Sequence, residues 1–496
     1  MKVIIIGNHP LAESLVCQYE TLCYIVDRRP ELTADGVNIN DYDELSLLSG
    51  DGEDDKAMAL LVQLASRFDV QTHQGRRLVC HLLLHSNQTL QMLHTTDFCE
   101  AVRQKTDVYP FTLDEVWSRS IILDYEPITR QSEKHIHLVI FGMDEMAQMV
   151  VIQAALVAHY PSYVNNHAQR TRITMVDKNA EQKSATFVKN YQHLFDNSYY
   201  RIVKPLEEKA VTLFHKPMYA ETREDFVDVE WEFVEAENWN ADLREKLQLW
   251  AKDTSQLLTV VLTYKDENKN LSEALRLPQE LYAQHIPIYI YCPKEVSLPD
   301  CSHIHCFGMN DKGYDVTLPL VRMAKNVNYI YDRCYEDNEM DWSGKLRYTV
   351  EINPEEKERS WARLSSVKRM SSIYNAMTIP TKMRSVGLDE QDWDKFYDIP
   401  QNDIELLSQV EHNRWTVEEL ILGYRPCTDE ELELIAADVN TQKNVYKERK
   451  IHYDLRAYDE LRPDGTGKPV QIYDQCLCSC LPLIAKESSI EKGGKA

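Results

Sequence analysis

Six residues between positions 412 and 458 have side chains that could hold a small aromatic or anionic ligand. They are His412, Arg414, Trp415, Tyr424, His452 and Tyr458. An aromatic face can stack on a nucleobase, and an arginine can pair with a phosphate. The same residues also suit a small helical core in which Trp415 and Tyr458 are packed and both histidines are bonded internally. The sequence leaves both interpretations open.

The spacing of these residues resembles that of the Ryr domain, the repeat module of ryanodine receptors that also occurs singly in bacterial proteins. The matching segments are LLSQVEHNRWTVEELILGYRP and KERKIHYDLRAYDEL, which follow H-x-x-W, a glycine–aromatic turn and K-x-H-x-x-L-x-x-Y-x-x-L. Residues 361–364, 369–372 and 375–376 resemble the helical stretch that precedes the domain in bacterial members. In ryanodine receptors the repeat forms an aromatic-lined pocket able to take an adenine nucleotide. The resemblance implies a similar pocket here.

Two glycine turns could bind a dinucleotide, because each joins an apolar strand to a helical pattern. The first turn, GNHPLA, contains Gly7, His9 and Ala12, and Asp27 follows at the distance of the acid that holds ribose hydroxyls. His9 replaces the central glycine that lets backbone N–H groups approach a pyrophosphate. A turn that keeps the fold without the dinucleotide is therefore the alternative, although His9 could itself donate to a phosphate.

The second turn, GMDEMA, begins at Gly142, and Asp177 ends the strand that follows its helix. Here Asp144 takes the place of the central glycine. A carboxylate at this point would repel a pyrophosphate but would suit the cap of a helix. The tandem pieces KVIIIG…YIVD and LVIFGMDEMA…ITMVD resemble the TrkA-N, or RCK, nucleotide-binding regulatory domains of potassium transporters and channels. That resemblance implies binding of NAD or ATP and assembly beside a membrane protein.

Two patterns of cysteine and histidine residues could hold a metal ion, but they indicate such a site only weakly. The segment CSHIHC places Cys301, His303 and His305 on one face if it is a strand, and QCLCSC alternates three cysteines. We expect a solvated strand edge and buried thiols rather than metal sites. The sequence has no G-x-S-x-G elbow, Walker loop, H-E-x-x-H or kinase H-R-D motif. We therefore favour a protein without catalytic activity.

Composition narrows the class of partner. The 496 residues carry a net charge of −24, which disfavours generic binding to nucleic acids or anionic lipid surfaces. No apolar run is long enough to span a membrane, and MKVIIIGNHP does not have the pattern of a signal peptide. Twelve scattered cysteines fit free thiols in a reducing cytoplasm. We expect a cytoplasmic protein.

Hydrophobic patterns predict two α/β units and a helical region. Strands alternate with helices over residues 1–125 and again over 134–330, which predicts two Rossmann-like, doubly wound parallel sheets. Strand patterns stop near residue 345, and helical spacing covers 354–390 and 401–422. We assign 345–485 to a mainly helical region with the Ryr-type module, and 486–496 to a disordered tail.

These features together predict a ligand-sensing regulatory protein. The expected ligand is a nucleotide or a similar small anion, and the cofactor, if one is bound, is an adenine nucleotide or NAD. A homo-oligomer and a membrane-protein partner are further expectations. The alternatives are an NAD(P)-dependent oxidoreductase built on the first unit and a non-catalytic scaffold that regulates a channel or transporter.

Overall fold

The structure is a computed structural model of the chain. It describes residues 1–124, 134–204, 211–217, 225–236, 240–294, 303–337, 348–389, 392–438, 446–463 and 467–485. The tail at 486–496, expected to be disordered, lies outside these residues. No helix in the described ranges is long and apolar enough to cross a membrane.

The first unit is a five-stranded parallel sheet with helices on both faces. Its strands are β1 (Lys2–Ile6), β2 (Ile25–Arg29), β3 (Glu44–Leu48), β4 (Leu78–Leu83) and β5 (Thr106–Phe111), and its helices are α1 (Leu11–Thr21), α2 (Asp54–Arg67), α3 (Asn87–Thr95), α4 (Glu100–Arg103) and α5 (Leu113–Asp124). The apolar run KVIII forms β1 because both faces of a central parallel strand are buried.

The strand order of this sheet is β2-β1-β3-β4-β5. That is the flavodoxin-like order of doubly wound sheets and differs from the order of dinucleotide-binding sheets. The α/β class is as predicted, but the sequence patterns missed β3 and β5. The edge strand β5 contains Pro110; proline is tolerated at an edge because no ladder hydrogen bond is lost there.

The second unit is an eight-stranded sheet with one antiparallel strand. Its strands are β6 (His135–Phe141), β7 (Thr171–Asp177), β8 (Tyr199–Lys204), β9 (Val211–His215), β10 (Val229–Glu235), β11 (Gln256–Leu262), β12 (Ile288–Tyr291) and β13 (Ile304–Phe307), and its helices are α6 (Glu145–Val157), α7 (Pro161–Asn165), α8 (Ala180–Asn190), α9 (Gln192–Asp196), α10 (Ala241–Lys252), α11 (Glu267–Ala274) and α12 (Gln279–Ala283).

The order of the second sheet is β13-β12-β11-β6-β7-β10-β8-β9. Without the β8–β9 hairpin, which lies at one edge, the strands follow the Rossmann order 3-2-1-4-5-6. The switch point lies between the neighbouring strands β6 and β11, because the crossovers that follow these two strands lead to opposite sides of the sheet. The two units therefore repeat a class of architecture with different topologies.

The third region is helical. It contains α13 (Pro319–Glu336), α14 (Pro354–Arg363), α15 (Ser366–Met377), α16 (Ile379–Ser385), α17 (Trp393–Phe396), α18 (Gln401–Ile421), α19 (Asp429–Ala437), α20 (Gln471–Ser479) and α21 (Leu481–Ala485), with a short pair of β14 (Arg425–Pro426) and β15 (Ile451–His452). Helix α18 packs against α6, α7 and α9 of the second unit and against α15 and α20 of its own region. It is buried on most sides as a result.

A segment after β13 ties the first unit to the second. Tyr314 stacks on Phe111 with ring centroids 3.7 Å apart, and its hydroxyl lies 2.6 Å from Nδ1 of His81. The side-chain amide of Gln18 donates to the Tyr314 carbonyl at 2.8 Å and accepts from the N–H of Val316 at 3.0 Å. The core of the first unit is thus completed by residues that follow the second sheet.

Candidate functional site

Helix α18 and its C-terminal turn position the ring residues predicted from the sequence. The helix ends at Ile421, and Gly423 has φ +87°, a left-handed conformation that turns the chain into β14. Strand β14 then pairs with β15, with Pro426 opposite His452. This pairing returns the second predicted segment to the side of the helix.

Five of the six predicted ligand residues form one cluster, which we call the α18 ring cluster: His412, Trp415, Tyr424, His452 and Tyr458. The ring of His412 lies 5.7 Å from that of Trp415 and 5.8 Å from that of Tyr458. The ring of His452 lies 5.0 Å from Trp415, edge to face, and 6.2 Å from Tyr424. His412 and Tyr458, which are more than 40 positions apart in the sequence, therefore lie close together.

The inner part of the cluster is packed. His412, His452 and Tyr458 are buried, and Nε2 of His412 donates to the carbonyl of Arg456 at 2.9 Å. Nδ1 of His452 accepts the N–H of Asp454 at 3.2 Å. Burial lowers the pKa of His412 to about 4 and that of His452 well below its ordinary value. Both imidazoles are neutral at pH 7 and bonded internally, which is the alternative that the sequence left open for them.

Arg414 is not placed to bind a ligand, and this corrects the sequence-based assignment. Its side chain is 2% exposed, and it pairs with Glu411 at 2.8 Å and with Glu418 at 2.6 Å. Nζ of Lys382 lies 2.6 Å from the other oxygen of Glu411. The sequence contains a pattern that indicates this pairing, since acids three residues before and four residues after an arginine can form ion pairs with it on a helix.

These four side chains form a buried ion tetrad: Lys382, Glu411, Arg414 and Glu418. Burial alone would raise the pKa of Glu411, but the charges of Arg414 and Lys382 outweigh it and hold that pKa at about 2. For Glu418 burial prevails, and its pKa is raised. The tetrad fixes α18 against α16, because Lys382 belongs to α16.

The outer part of the ring cluster is half-buried and includes a residue that the sequence analysis missed. Trp415, Glu419 and Tyr424 are partly exposed, and Glu419 lies one helical turn beyond Trp415. Burial and the neighbouring Glu418 raise the pKa of Glu419 to about 8, although the charges of Lys447 and Lys450 lower it. The spacing of i and i+4 from Trp415 could have identified Glu419. At neutral pH this carboxyl is largely protonated and can donate a hydrogen bond.

The first glycine turn lies at the switch point of its sheet, where ligands of flavodoxin-like folds bind. Gly7 has φ +122°, and a Cβ there would lie 2.1 Å from the carbonyl oxygen of Leu48. Ala12 is buried against β1 and does not reach the turn's surface. Nδ1 of His9 accepts the N–H of Leu11 at 3.1 Å, which leaves Nε2 as the donor of that ring.

Asp27, the predicted ribose residue, is occupied by protein partners. Its Oδ2 lies 2.8 Å from Nζ of Lys2 and accepts the hydroxyl of Tyr42 at 2.7 Å. The hydrogen bonds from Lys2 and Tyr42 lower the pKa of Asp27. The carboxylate is about two-fifths exposed, so a ligand would have to share it or displace Lys2.

The second glycine turn is closed by an ion triad. Gly142 has φ +108° and lies beside Thr263, so the turn does sit at the switch point between β6 and β11. Nζ of Lys183 lies 3.0 Å from Asp144 and 2.8 Å from Asp177. The two carboxylates that flank the expected pyrophosphate and ribose positions are thus joined to each other through one lysine.

The cysteine and histidine patterns have structural roles where they are described. Cys476 and Cys478 lie in α20 and Cys480 follows it; all three are buried, so their alternation does not reflect a strand. Burial raises the pKa of Cys478 and Cys480 to about 12. Cys301 lies outside the described residues, and His305 stacks on Tyr289. Within the described ranges, no group of three His, Cys, Asp or Glu side chains is placed to hold a metal ion.

Comparison of the chain with protein-family models, curated proteins and solved structures found no match.

Proposed function

We propose that this chain is a ligand-sensing regulatory protein that binds a nucleotide or a similar small anion at the outer part of the α18 ring cluster. The observation that carries the proposal is the half-buried group of Trp415, Glu419 and Tyr424, in which a carboxyl has its pKa raised to about 8. Strongly perturbed carboxyls beside aromatic rings are typical of binding sites.

Each of these residues suits one part of a nucleotide. The face of Trp415 can stack on a base, and the protonated carboxyl of Glu419 can both donate to and accept from the base edge. Lys447 and Lys450 lower the pKa of Glu419 through their charges, so two cations are near enough to attract a phosphate. In this proposal Arg414 supports the site through the tetrad and does not contact the ligand.

The central position of α18 favours regulation over catalysis. The helix contacts three helices of the second unit and two of its own region. A ligand that moved the C-terminal turn of the helix would therefore change its packing in both parts. A ligand that prefers one arrangement of these helices shifts the population towards it. An NAD(P)-dependent oxidoreductase remains the alternative at the first glycine turn, with Asp27 as its ribose residue.

Isothermal titration calorimetry of the full chain with ATP, ADP, NAD and cyclic nucleotides tests the proposal. We expect binding by one of these that weakens at least tenfold in Trp415→Ala and changes little in Trp250→Ala, a half-buried tryptophan of α10. Glu419→Gln should weaken binding less, because an amide keeps one donor and one acceptor.

Two outcomes would contradict the proposal. Absence of measurable heat with all four ligand classes would exclude a nucleotide. Binding that survives Trp415→Ala but is lost in Asp27→Ala would transfer the site to the first glycine turn and support the oxidoreductase alternative. Circular dichroism of each variant separates lost binding from lost folding.

A further inference from the structure

A cavity of about 430 Å³ lies between the first unit, the segment after β13 and the helical region. One wall is the edge strand β5 with α3, α4 and α5 of the first unit. A second wall is the segment after β13 with the start of α13, and the third is formed by α14 and α15. Its volume falls in the range of small-molecule sites, and most of its lining is apolar or aromatic.

The charged residues of this junction cavity are biased towards arginine. Four arginines line it, namely Arg77, Arg103, Arg119 and Arg369, against three carboxylates. With Asp107, which pairs with Arg77 and Arg369, positive and negative charges balance here, whereas the chain as a whole carries a net charge of −24. An anion would therefore be repelled less at this site than by most of the protein.

Several guanidinium donors at this cavity are buried without a hydrogen-bond acceptor. Arg77 and Arg369 share one oxygen of Asp107, at 3.0 Å and 3.6 Å. The Nε atoms of Arg77, Arg119 and Arg369 are buried and have no acceptor among the described residues. Burial, with the charges of Arg77 and Arg103, lowers the pKa of Arg369. Unpaired buried N–H groups are costly, and a bound anion would satisfy them.

An aromatic wall adjoins the arginines. The guanidinium of Arg369 lies 5.3 Å from the ring centre of Trp361 and donates to the carbonyl of that residue at 3.1 Å. Tyr109 lines the same side, and burial raises the pKa of its hydroxyl above its ordinary value. A planar or apolar body would therefore find ring surface beside the group that binds its charge.

We propose that the junction cavity is a second ligand site, one that takes an organic anion with an apolar or aromatic body and a carboxylate, sulfonate or phosphate group. The acidic group would lie against Arg77 and Arg369, and the body against Trp361, Tyr109 and the apolar lining. Because its walls come from three regions, the ligand would stabilise their present arrangement. This site is separate from the α18 ring cluster and does not depend on ligand binding there.

Fluorescence titration with 1-anilinonaphthalene-8-sulfonate, an aromatic sulfonate, tests the site in the full chain. We expect the Kd to rise at least tenfold in Arg369→Gln, which removes the anion's partner. Ser120→Phe should have a similar effect, because this residue lines the cavity and a phenyl ring would fill part of it.

Each variant has a matched control. Arg276→Gln removes an arginine whose side chain is 66% exposed and should leave the Kd unchanged. Ser66→Phe alters an exposed helical serine that, like Ser120, donates to a carbonyl three residues earlier. Trp415→Ala should also leave the Kd unchanged, so failure of this site and failure of the proposed function are distinguishable.

Competition defines the ligand class. Phenyl phosphate, benzoate and octanoate should displace the probe, and inorganic phosphate at the same concentration should not. Equal displacement by inorganic phosphate would overturn the role of the apolar body. An unchanged Kd in both Arg369→Gln and Ser120→Phe, with melting temperatures near that of the wild type, would overturn the site itself.

Discussion

The hydroxyl of Ser371 donates a hydrogen bond to Oε2 of Glu418 across 3.1 Å and thereby joins α15 to α18. Helix α15 carries Arg369 on the wall of the junction cavity, and α18 carries Trp415 and three of the four residues of the ion tetrad. This polar contact thus lies between the two proposed ligand sites. Its removal should affect both the stability of the fold and any communication between the sites.

Ser371→Ala should lower the free energy of unfolding by about 1–2 kcal/mol, because a buried carboxylate loses one of its donors. Ser372→Ala is the control, since that hydroxyl donates to the Lys368 carbonyl of its own helix. Urea unfolding followed by circular dichroism measures the difference. Equal effects of the two substitutions would show that the contact between the helices contributes nothing measurable.

Lys382→Met should lower the free energy of unfolding by about 3–5 kcal/mol, because the methylene stem is kept while buried Glu411 loses a cation. Lys56→Met, at a lysine whose side chain is 68% exposed and pairs with Glu53, should change it by less than about 0.5 kcal/mol. The same urea titration reports both values. Adding Glu411→Gln to Lys382→Met should recover part of the loss, and failure to do so would argue against a charge effect.

Glu419 should give the protein a stability that decreases as the pH rises. Its folded-state pKa of about 8 is above the ordinary carboxyl value near 4.5, so the folded state holds a proton that the unfolded state releases. The contribution is fully present below about pH 4.5 and is lost as the pH rises through about 8. In Glu419→Gln the stability should depend less on pH over this window, as measured by thermal melting at pH 5.5 and 8.5.

The contribution of His412 to stability has the opposite dependence on pH. Burial holds its folded-state pKa at about 4, below the ordinary value of 6.5, so its contribution to stability is lost as the pH falls through this range. The difference between wild type and Glu419→Gln isolates the carboxyl, because His412 is present in both. A difference that does not change between pH 5.5 and 8.5 would contradict the raised pKa.

Gly7→Ala should cost about 3 kcal/mol, because the added Cβ would meet the Leu48 carbonyl oxygen at 2.1 Å and φ is +122°. Gly36→Ala is the matched control: φ is +67°, and no atom lies within 4 Å of the added Cβ. Its cost should be about 1 kcal/mol, from backbone conformation alone. Chemical denaturation of both variants measures their free energies of unfolding and so separates the steric cost from the cost of backbone conformation.

Sequence patterns revealed the α/β class because buried parallel strands such as β1, β4 and β6 are continuous apolar runs. They missed β3, since ELSLL begins with an acid, and β5, where a proline interrupts the run. Without those strands the flavodoxin-like order of the first sheet could not be derived. Strand order depends on which crossovers the chain takes, and that is settled by packing between distant residues.

The ring cluster could be predicted from local spacing, but the state of its members could not. His412 and Trp415 are one turn apart on any helix, whereas the burial of Arg414 depends on Lys382 of another helix. The junction cavity was beyond reach for the same reason, because Arg77 and Arg369 are nearly 300 positions apart. Four of its lining residues, Trp361, Leu364, Arg369 and Met370, lie in segments that a family resemblance had indicated.

The stacking of Tyr314 on Phe111 has a consequence for biosynthesis. The hydroxyl of Tyr314 reaches His81 across 233 positions of sequence, so the ribosome must add the whole second sheet before this partner exists. Until then a nascent first unit would expose the Phe111 ring and the His81 imidazole to water. Chaperones bind exposed surface of this kind. We therefore expect the slowest step of folding to be the docking of this segment on the first unit. Closing so long a loop costs conformational entropy.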